Sequence, residues 1–250
     1  MEHSHRTNRW GWLVAEFAII VAGVLSALFV DAHLEQQRDA ELAVGYRSAL
    51  VDDISYDMRA LGRRIVYYQD IMDNGDHVLA DLDGSAPLSD LEFAQAAFLA
   101  AEEWDWTPIS ATFRDLESTG NMRLIGDLGL RGELVNYHRS ADARRSTFVL
   151  PREYRQLARG LLPLDFQAAM HERCYQFVGD TLDSELAMDT GCDITPDEFP
   201  LRDAVIALRS DPALVPLLRY RLSQTRIAQQ LFRGQREIAV QVYEALHEAD

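Results

Sequence analysis

The chain has 250 residues, of which 48% are hydrophobic and 26% are charged, proportions typical of a globular protein. Its formal net charge is −16, and all 24 basic residues are arginine. Binding to nucleic-acid phosphates needs clustered cations, so this balance argues against a nucleic-acid partner and against a domain lying flat on anionic lipid. We therefore expect one folded domain and no nucleic acid.

The first element is an apolar run over residues 10–30 that contains a single ionisable side chain, Glu16. As a helix it would be about 31 Å long, which matches the hydrocarbon core of a bilayer. Arg6 and Arg9 precede the run and mainly acidic residues follow it, so residues 1–9 are predicted to be cytoplasmic and 31–250 extracytoplasmic. A cleaved signal peptide is the alternative, but the run is longer than a typical signal core and the Val30-Asp31-Ala32 junction is a poor cleavage site.

Small residues recur along the predicted membrane helix at spacings that place them on one side. They are Ala18, Ala22, Ser26, Gly23 and Ala27. Such a stripe lets a second helix approach closely, and a carboxylate inside a membrane often marks a pairing site. Glu16 therefore either pairs with a partner helix or reaches the inner interface as a snorkelling or protonated side chain.

Apolar residues spaced three and four apart continue from Leu42 to Met72, which predicts that the anchor helix extends as a stalk. The cluster Asp73-Asn74-Gly75 is typical of a turn and would end it. Ser89 and Glu92 form a capping-box pattern that opens a short helix through Ala101. Thr107 and Pro108 predict the start of the next helix, and Gly120 its end.

The second half of the sequence predicts further helices and no strand. Asp127 would cap a helix whose apolar face is Leu130, Leu134, Tyr137, Ala141 and Phe148, with Pro151 at its end or at a kink. Residues 163–178 are expected to be helical, 179–200 a loop with at most a short helix, and 211–250 a long helix antiparallel to the stalk. We therefore predict an all-α fold, in which an N-terminal transmembrane helix continues into the long stalk helix of an antiparallel bundle.

Two stretches resemble a family of uncharacterised single-pass bacterial membrane proteins whose domain is labelled only as of unknown function. One is Glu16 followed by Gly23, Val24 and Leu25; the other is residues 112–125 continuing to Leu134 and Tyr137. The exit Asp31-Ala32-His33 departs from the asparagine and tryptophan of that family. The resemblance implies an inner-membrane protein with a periplasmic helical domain, and it transfers no catalytic residue.

Cys174 and Cys192 are the two cysteines, and outside the cytoplasm an even pair most often forms a disulfide. The alternative is a metal site, because His171 and Cys174 share a helical face and Asp193 follows Cys192. The acidic residues around this loop lack the ordered spacing of a calcium loop. We expect the disulfide and no bound metal.

Trp104, Trp106 and Phe113 could line a ligand pocket with Arg114 or Arg123 as an anion handle, or they could plug the core. His138 has no neighbouring nucleophile, and no phosphate loop, zinc helix or nucleophile elbow is present, so we expect neither enzyme activity nor a cofactor. The function expected is that of a protein-interaction or structural component of the envelope. The alternative is a small-molecule or envelope-state sensor that signals through a partner membrane protein.

Overall fold

The computed structural model describes residues 7–126, 128–145, 152–178, 185–188 and 192–248. The fold is all-α, as the sequence predicts, with one small antiparallel strand pair. The helices are α1 Thr7–Leu82, α2 Asp90–Leu99, α3 Ala111–Thr119, α4 Leu128–Arg145, α5 Glu153–Leu161, α6 Leu164–Arg173, α7 Arg202–Ser210 and α8 Leu214–Glu248. A 3-10 turn spans Asn121–Leu124, and the strands are β1 Tyr175–Val178 and β2 Glu185–Met188.

α1 is one unbroken helix that begins before the apolar run and ends at Leu82. The prediction of a turn at Asp73-Asn74-Gly75 was therefore wrong. The glycine is present for packing: a Cβ at position 75 would lie 2.5 Å from Cδ2 of Leu222 on α8. Gly75 thus permits a close helix crossing without interrupting the helix.

α8 runs antiparallel to α1, as predicted. Along α8, Leu222 faces Gly75, Gln229 donates to the Ile65 carbonyl oxygen at 2.9 Å, and Arg236 donates to the Met58 carbonyl oxygen at 3.3 Å. Residues of increasing number on α8 therefore contact residues of decreasing number on α1, which is the antiparallel arrangement. These two helices form the frame against which the shorter helices pack.

The buried apolar residues form two cores stacked along the α1–α8 pair. The proximal core, nearer the apolar run, includes Leu50, Ile54, Leu61, Phe113, Leu116, Leu134, Tyr137, Phe232 and Val242. The distal core includes Val78, Phe93, Phe98, Tyr154, Phe166, Val205, Leu208, Leu214 and Leu218. Residues 100–106 pass from α2 in the distal core to Trp106 in the proximal core.

The two predicted caps that depend on local chemistry are confirmed. Ser89 and Glu92 make both hydrogen bonds of a capping box at the start of α2. Gly120 ends α3 with φ 73°, a left-handed conformation that favours glycine. The predicted start at Thr107-Pro108 was wrong, because α3 begins at Ala111. The backbone N–H of Ile109 instead donates to the Asp57 carboxylate, and this long-range bond keeps the segment out of the helix.

The predicted helix over residues 163–178 ends at Arg173, and residues 175–178 form β1 instead. Pairing with β2 supplies the backbone hydrogen bonds that a helix would have made. α7 was missed, although Leu201, Val205 and Leu208 are buried at helical spacing. The last helix begins at Leu214, after Pro212. Asp127, Phe148 and Pro151 lie outside the described residues.

Two glycines inside α1 should respond differently to alanine. An added Cβ at Gly45 meets nothing within 4 Å, so Gly45→Ala should gain about 1 kcal/mol of helix propensity and raise the unfolding midpoint by about 2–4 °C. Gly75→Ala should raise it less, because Leu222 must move. Thermal unfolding of the full chain in detergent, followed by far-UV circular dichroism, measures both. Equal gains would contradict the close crossing of α1 and α8.

Candidate functional site

The first part of α1 stands apart from the bundle. From Trp10 to Arg38 every described side chain is exposed, over about 43 Å of helix. This part contains a candidate membrane span with a mean hydropathy of 2.5 in its most apolar window. Phe17, Ile19 and Phe29 are 69%, 73% and 74% exposed, an apolar surface that in water would be covered by lipid or by another helix.

The predicted pairing residues occupy two separate edges of this helix. Gly23 and Ala27 follow Glu16 by seven and eleven residues, about two and three turns, so all three share one side. Ala18, Ala22 and Ser26 form a second edge, centred about 120° around the helix from the first. Within the described chain these residues make no contact with another element, and a Cβ at Gly23 would meet nothing within 4 Å. Their pairing role stays a prediction.

A groove opens between α1 and α3 just beyond the exposed part of α1. Its volume is about 820 Å³. The groove is lined by Arg38, Glu41, Leu42, Gly45, Tyr46 and Ala49 of α1 and by Ala111, Thr112 and Asp115 at the start of α3. We call it the α1–α3 groove. Gly45 has no side chain to fill the groove, and the apolar side chain of Leu42 is 46% exposed.

Polar contacts fix the walls of the groove. Arg123 donates through both terminal nitrogens to the Asp39 carboxylate, and this hydrogen bonding holds the pKa of Asp39 below its ordinary value. The Tyr46 hydroxyl donates to Oδ2 of Asp115 at 2.7 Å and accepts from Asn121 at 3.3 Å. α3 and the 3-10 turn are therefore held against α1. Arg123 serves this structural pair rather than a ligand.

The predicted aromatic pocket is a part of the core. Trp106 and Phe113 are buried in the proximal core, and the Phe113 ring stacks on His138 at 4.1 Å between centroids. The Arg64 guanidinium lies 3.4 Å from the centre of the Trp104 ring. Of the two interpretations that the sequence left open, the core plug is the one that fits this packing.

A buried carboxylate lies where α1, α4 and the segment before α3 meet. Asp57 is fully buried, and it accepts from the Tyr137 hydroxyl at 2.6 Å and from the Ile109 N–H at 3.1 Å. Burial raises the pKa of Asp57 to about 7, against the opposing effect of these two donors, and the charge of Asp53 adds to the rise. The sequence gives no signal for this group, because Asp57 stands between ordinary helix residues.

His138, on α4, is a second buried titratable residue. Its ring packs against Phe113 and Tyr137, and Nδ1 has no hydrogen-bond partner. Burial lowers the pKa of His138 to about 4, only partly offset by Asp142. His138 is 6% exposed and is therefore buried. The two groups therefore depart from their ordinary pKa values in opposite directions.

The two cysteines are joined. The structure links Cys174 and Cys192 with their Cα atoms 4.6 Å apart, at the end of α6 and after the strand pair. The His171 ring nitrogen Nδ1 lies 2.7 Å from the Gln167 carbonyl oxygen. No metal-ligand cluster exists among the described residues. Asp180, Asp183 and Asp189 are among the acidic residues whose spacing argues against a calcium loop, and they lie outside the described residues.

No protein-family model, curated protein or solved structure matches this chain. The resemblance drawn from the sequence therefore stays an expectation. Over the residues that it describes, the structure is a helical bundle with one candidate membrane span.

Asp57 and His138 should make opposite contributions to the pH dependence of the free energy of unfolding, so that the two contributions cancel in the wild type. Between about pH 4.5 and 6.5 the folded state holds one proton on Asp57, whereas the unfolded state holds one on His138. Asp57→Asn should make stability fall with falling pH, by up to about 1.4 kcal/mol per unit relative to wild type. His138→Gln should make it rise by a similar amount. Chemical unfolding across this range measures both, and parallel profiles would contradict the assignment.

Removal of the disulfide should be costly. A loop of this length, with a sequence separation of 18, predicts a loss of about 3 kcal/mol in the free energy of unfolding for Cys174→Ala/Cys192→Ala. Urea unfolding with and without reductant provides the measurement and its control. Reductant should destabilise the wild type and leave the double variant unchanged. Free thiols with bound metal in the untreated protein would contradict the pairing.

Proposed function

We propose that this chain is a single-pass protein of the bacterial inner membrane that acts by binding another membrane protein. In this view residues 10–30 cross the bilayer, residues 1–9 are cytoplasmic, and residues 31–250 form a periplasmic helical domain. The charges flanking the apolar run support the orientation. The exposed apolar surface of α1 supports the anchor.

The observation that carries the proposal is a continuous face on α1. Gly45 follows Ala27 by 18 residues, five turns of a helix, so the α1–α3 groove opens on the side that bears Glu16 and Gly23. Leu34, which is 46% exposed, lies between them on this face. A partner helix lying along the face would contact α1 over about 44 Å, both within the membrane and outside it.

The two glycines on this face, Gly23 and Gly45, favour the close approach of a second helix. A glycine inside a helix costs about 1 kcal/mol relative to alanine, and neither Gly23 nor Gly45 gains a contact within the described chain. A second helix packed against them would recover that cost through backbone proximity and dispersion. Glu16 on the same side would then meet a donor on the partner rather than lipid.

Photo-crosslinking in native membranes tests the proposal. With the photoreactive residue at Leu42, an adduct should form in the membrane fraction from a chain that retains residues 10–30. Gly23→Leu or Gly45→Leu should abolish the adduct, because each fills the proposed contact face. Val24→Leu and Val44→Leu are the matched controls, since each points about 100° away from its neighbouring glycine.

The size of the adduct identifies the partner. Twice the mass of the chain indicates a second copy, and any other mass indicates a different protein. Recovery of the monomer alone, or equal loss with the control variants, would contradict the proposal. A soluble product lacking the apolar run would favour the signal-peptide alternative.

A sensor of small molecules is the second candidate. The α1–α3 groove, at about 820 Å³, falls within the usual size of ligand sites, about 300–1,000 Å³. A ligand there would touch α1 directly and could bias its pairing with a partner. A thermal-shift measurement distinguishes this function from the first. A ligand of the groove should raise the unfolding midpoint of the full chain and should not raise that of Gly45→Leu.

A further inference from the structure

Four guanidinium groups gather around two carboxylates at the junction of the two cores. Glu102 and Glu103 belong to the segment that leaves α2. They face Arg152, Arg155 and Arg159, at and within α5, together with Arg221 of α8. We call these four residues the arginine cluster. The spacing of Arg152, Arg155 and Arg159 places them on one face of a helix, but the sequence does not show that Arg221 and the two glutamates join them.

The two carboxylates are held differently. Glu102 is buried, pairs closely with Arg159 and accepts a hydrogen bond from the Tyr67 hydroxyl at 3.3 Å. Glu103 is instead shared by three guanidinium groups at longer range. Its oxygens lie 3.8 Å from Nε of Arg152, 3.5 Å from a terminal nitrogen of Arg155 and 3.7 Å from one of Arg221.

These separations leave Arg155 poorly compensated. A charge-assisted hydrogen bond between guanidinium and carboxylate is about 2.8 Å long, so the 3.5 Å contact between Arg155 and Glu103 is not one. The same nitrogen of Arg155 is buried and has no hydrogen-bond acceptor. A guanidinium cannot shed its proton, and an uncompensated buried charge is costly. Glu103 is thus a single carboxylate that faces three guanidinium groups.

The local charge is positive in a strongly acidic chain. Four arginines against Glu102 and Glu103 leave an excess of two positive charges among these six residues. The neighbouring Tyr67 and Tyr175 contribute no negative charge, because burial raises the pKa of both. The Arg152 side chain is 68% exposed and Glu103 28%, so solutes reach the cluster from the surface.

We propose that Arg152 and Arg155, with Arg221 beneath them, form a binding site for a phosphate group, with Glu103 as the internal competitor that occupies the site when phosphate is absent. A phosphate dianion matches the excess of two charges, and its several oxygens match guanidinium groups that approach from different sides. Phosphate would bring hydrogen-bond acceptors within reach of the Arg155 nitrogen that lacks one.

The phosphate belongs to a soluble molecule rather than to a lipid of the anchoring bilayer. Tyr67, which contacts the cluster through Glu102, follows Val30 by 37 residues of unbroken helix. That distance is about 55 Å, far beyond the reach of a headgroup at the membrane surface. This step uses the proposed anchor, whereas the geometry of the cluster does not depend on it.

Titration of the full chain in detergent with inorganic phosphate, against sodium chloride at equal ionic strength, tests the site. Phosphate should raise the unfolding midpoint in a saturable way, and calorimetry should give a dissociation constant. Arg155→Gln should weaken binding by at least about tenfold. Arg152→Gln, at a largely exposed position that preserves folding, should weaken it in the same direction. Arg219→Gln, an exposed arginine elsewhere on α8, is the control with the same change in charge.

Glu103→Gln gives the sharpest result, because it removes a negative charge and frees its partners. It should lower the stability without phosphate and tighten phosphate binding several-fold. Weaker binding in Glu103→Gln, or equal responses in wild type and Arg152→Gln, would overturn the proposal. A response to dihexanoyl phosphatidylglycerol without one to inorganic phosphate would also overturn it, since the recognised group would then belong to a lipid.

Discussion

The packing of α8 against α1 is the constraint on which the other elements depend. Their crossing is close because Gly75 lets Leu222 reach the backbone of α1, and side-chain amide and guanidinium donors from α8 bond to carbonyl oxygens of α1 farther along. α1 is at once the candidate membrane span and the central helix of the bundle. A partner that shifts α1 would therefore act directly on the proximal core, with no flexible linker between them.

Hydrogen bonds made by Arg221 and Gln229 of α8, between the two cores, explain how α1 and α8 keep one register along the bundle. Arg221 is fully buried and donates to the carbonyl oxygens of Ala101 and Glu102, so it fastens the crossing segment to α8. Gln229, on the same side of α8, bonds to Ile65 and Gln69 of α1. Apolar contacts alone would tolerate sliding by a turn, whereas these bonds have partners in one register only.

Local chemistry made part of this fold predictable. The capping box at Ser89 and the left-handed Gly120 are set by residues within one turn, and both are confirmed. The errors arose where distant residues decide the outcome. Gly75 is explained only by Leu222, and the segment before Ala111 only by Asp57. The strand pair depends on β2, ten residues downstream of β1. The α1–α3 groove and the arginine cluster combine separate elements, so spacing along one helix could not reveal either.

Asp57 and the arginine cluster show two ways in which this chain buries charge. A carboxylate can accept a proton, and burial raises the pKa of Asp57 to about 7, so the core can hold it neutral. A buried lysine could lose its proton in the same manner, but every cation in this chain is an arginine. The positive excess beside Glu103 therefore persists at any physiological pH. Because a guanidinium does not lose its proton, only anions can compensate this charge, and Glu103 is the carboxylate that lies beside both Arg152 and Arg155.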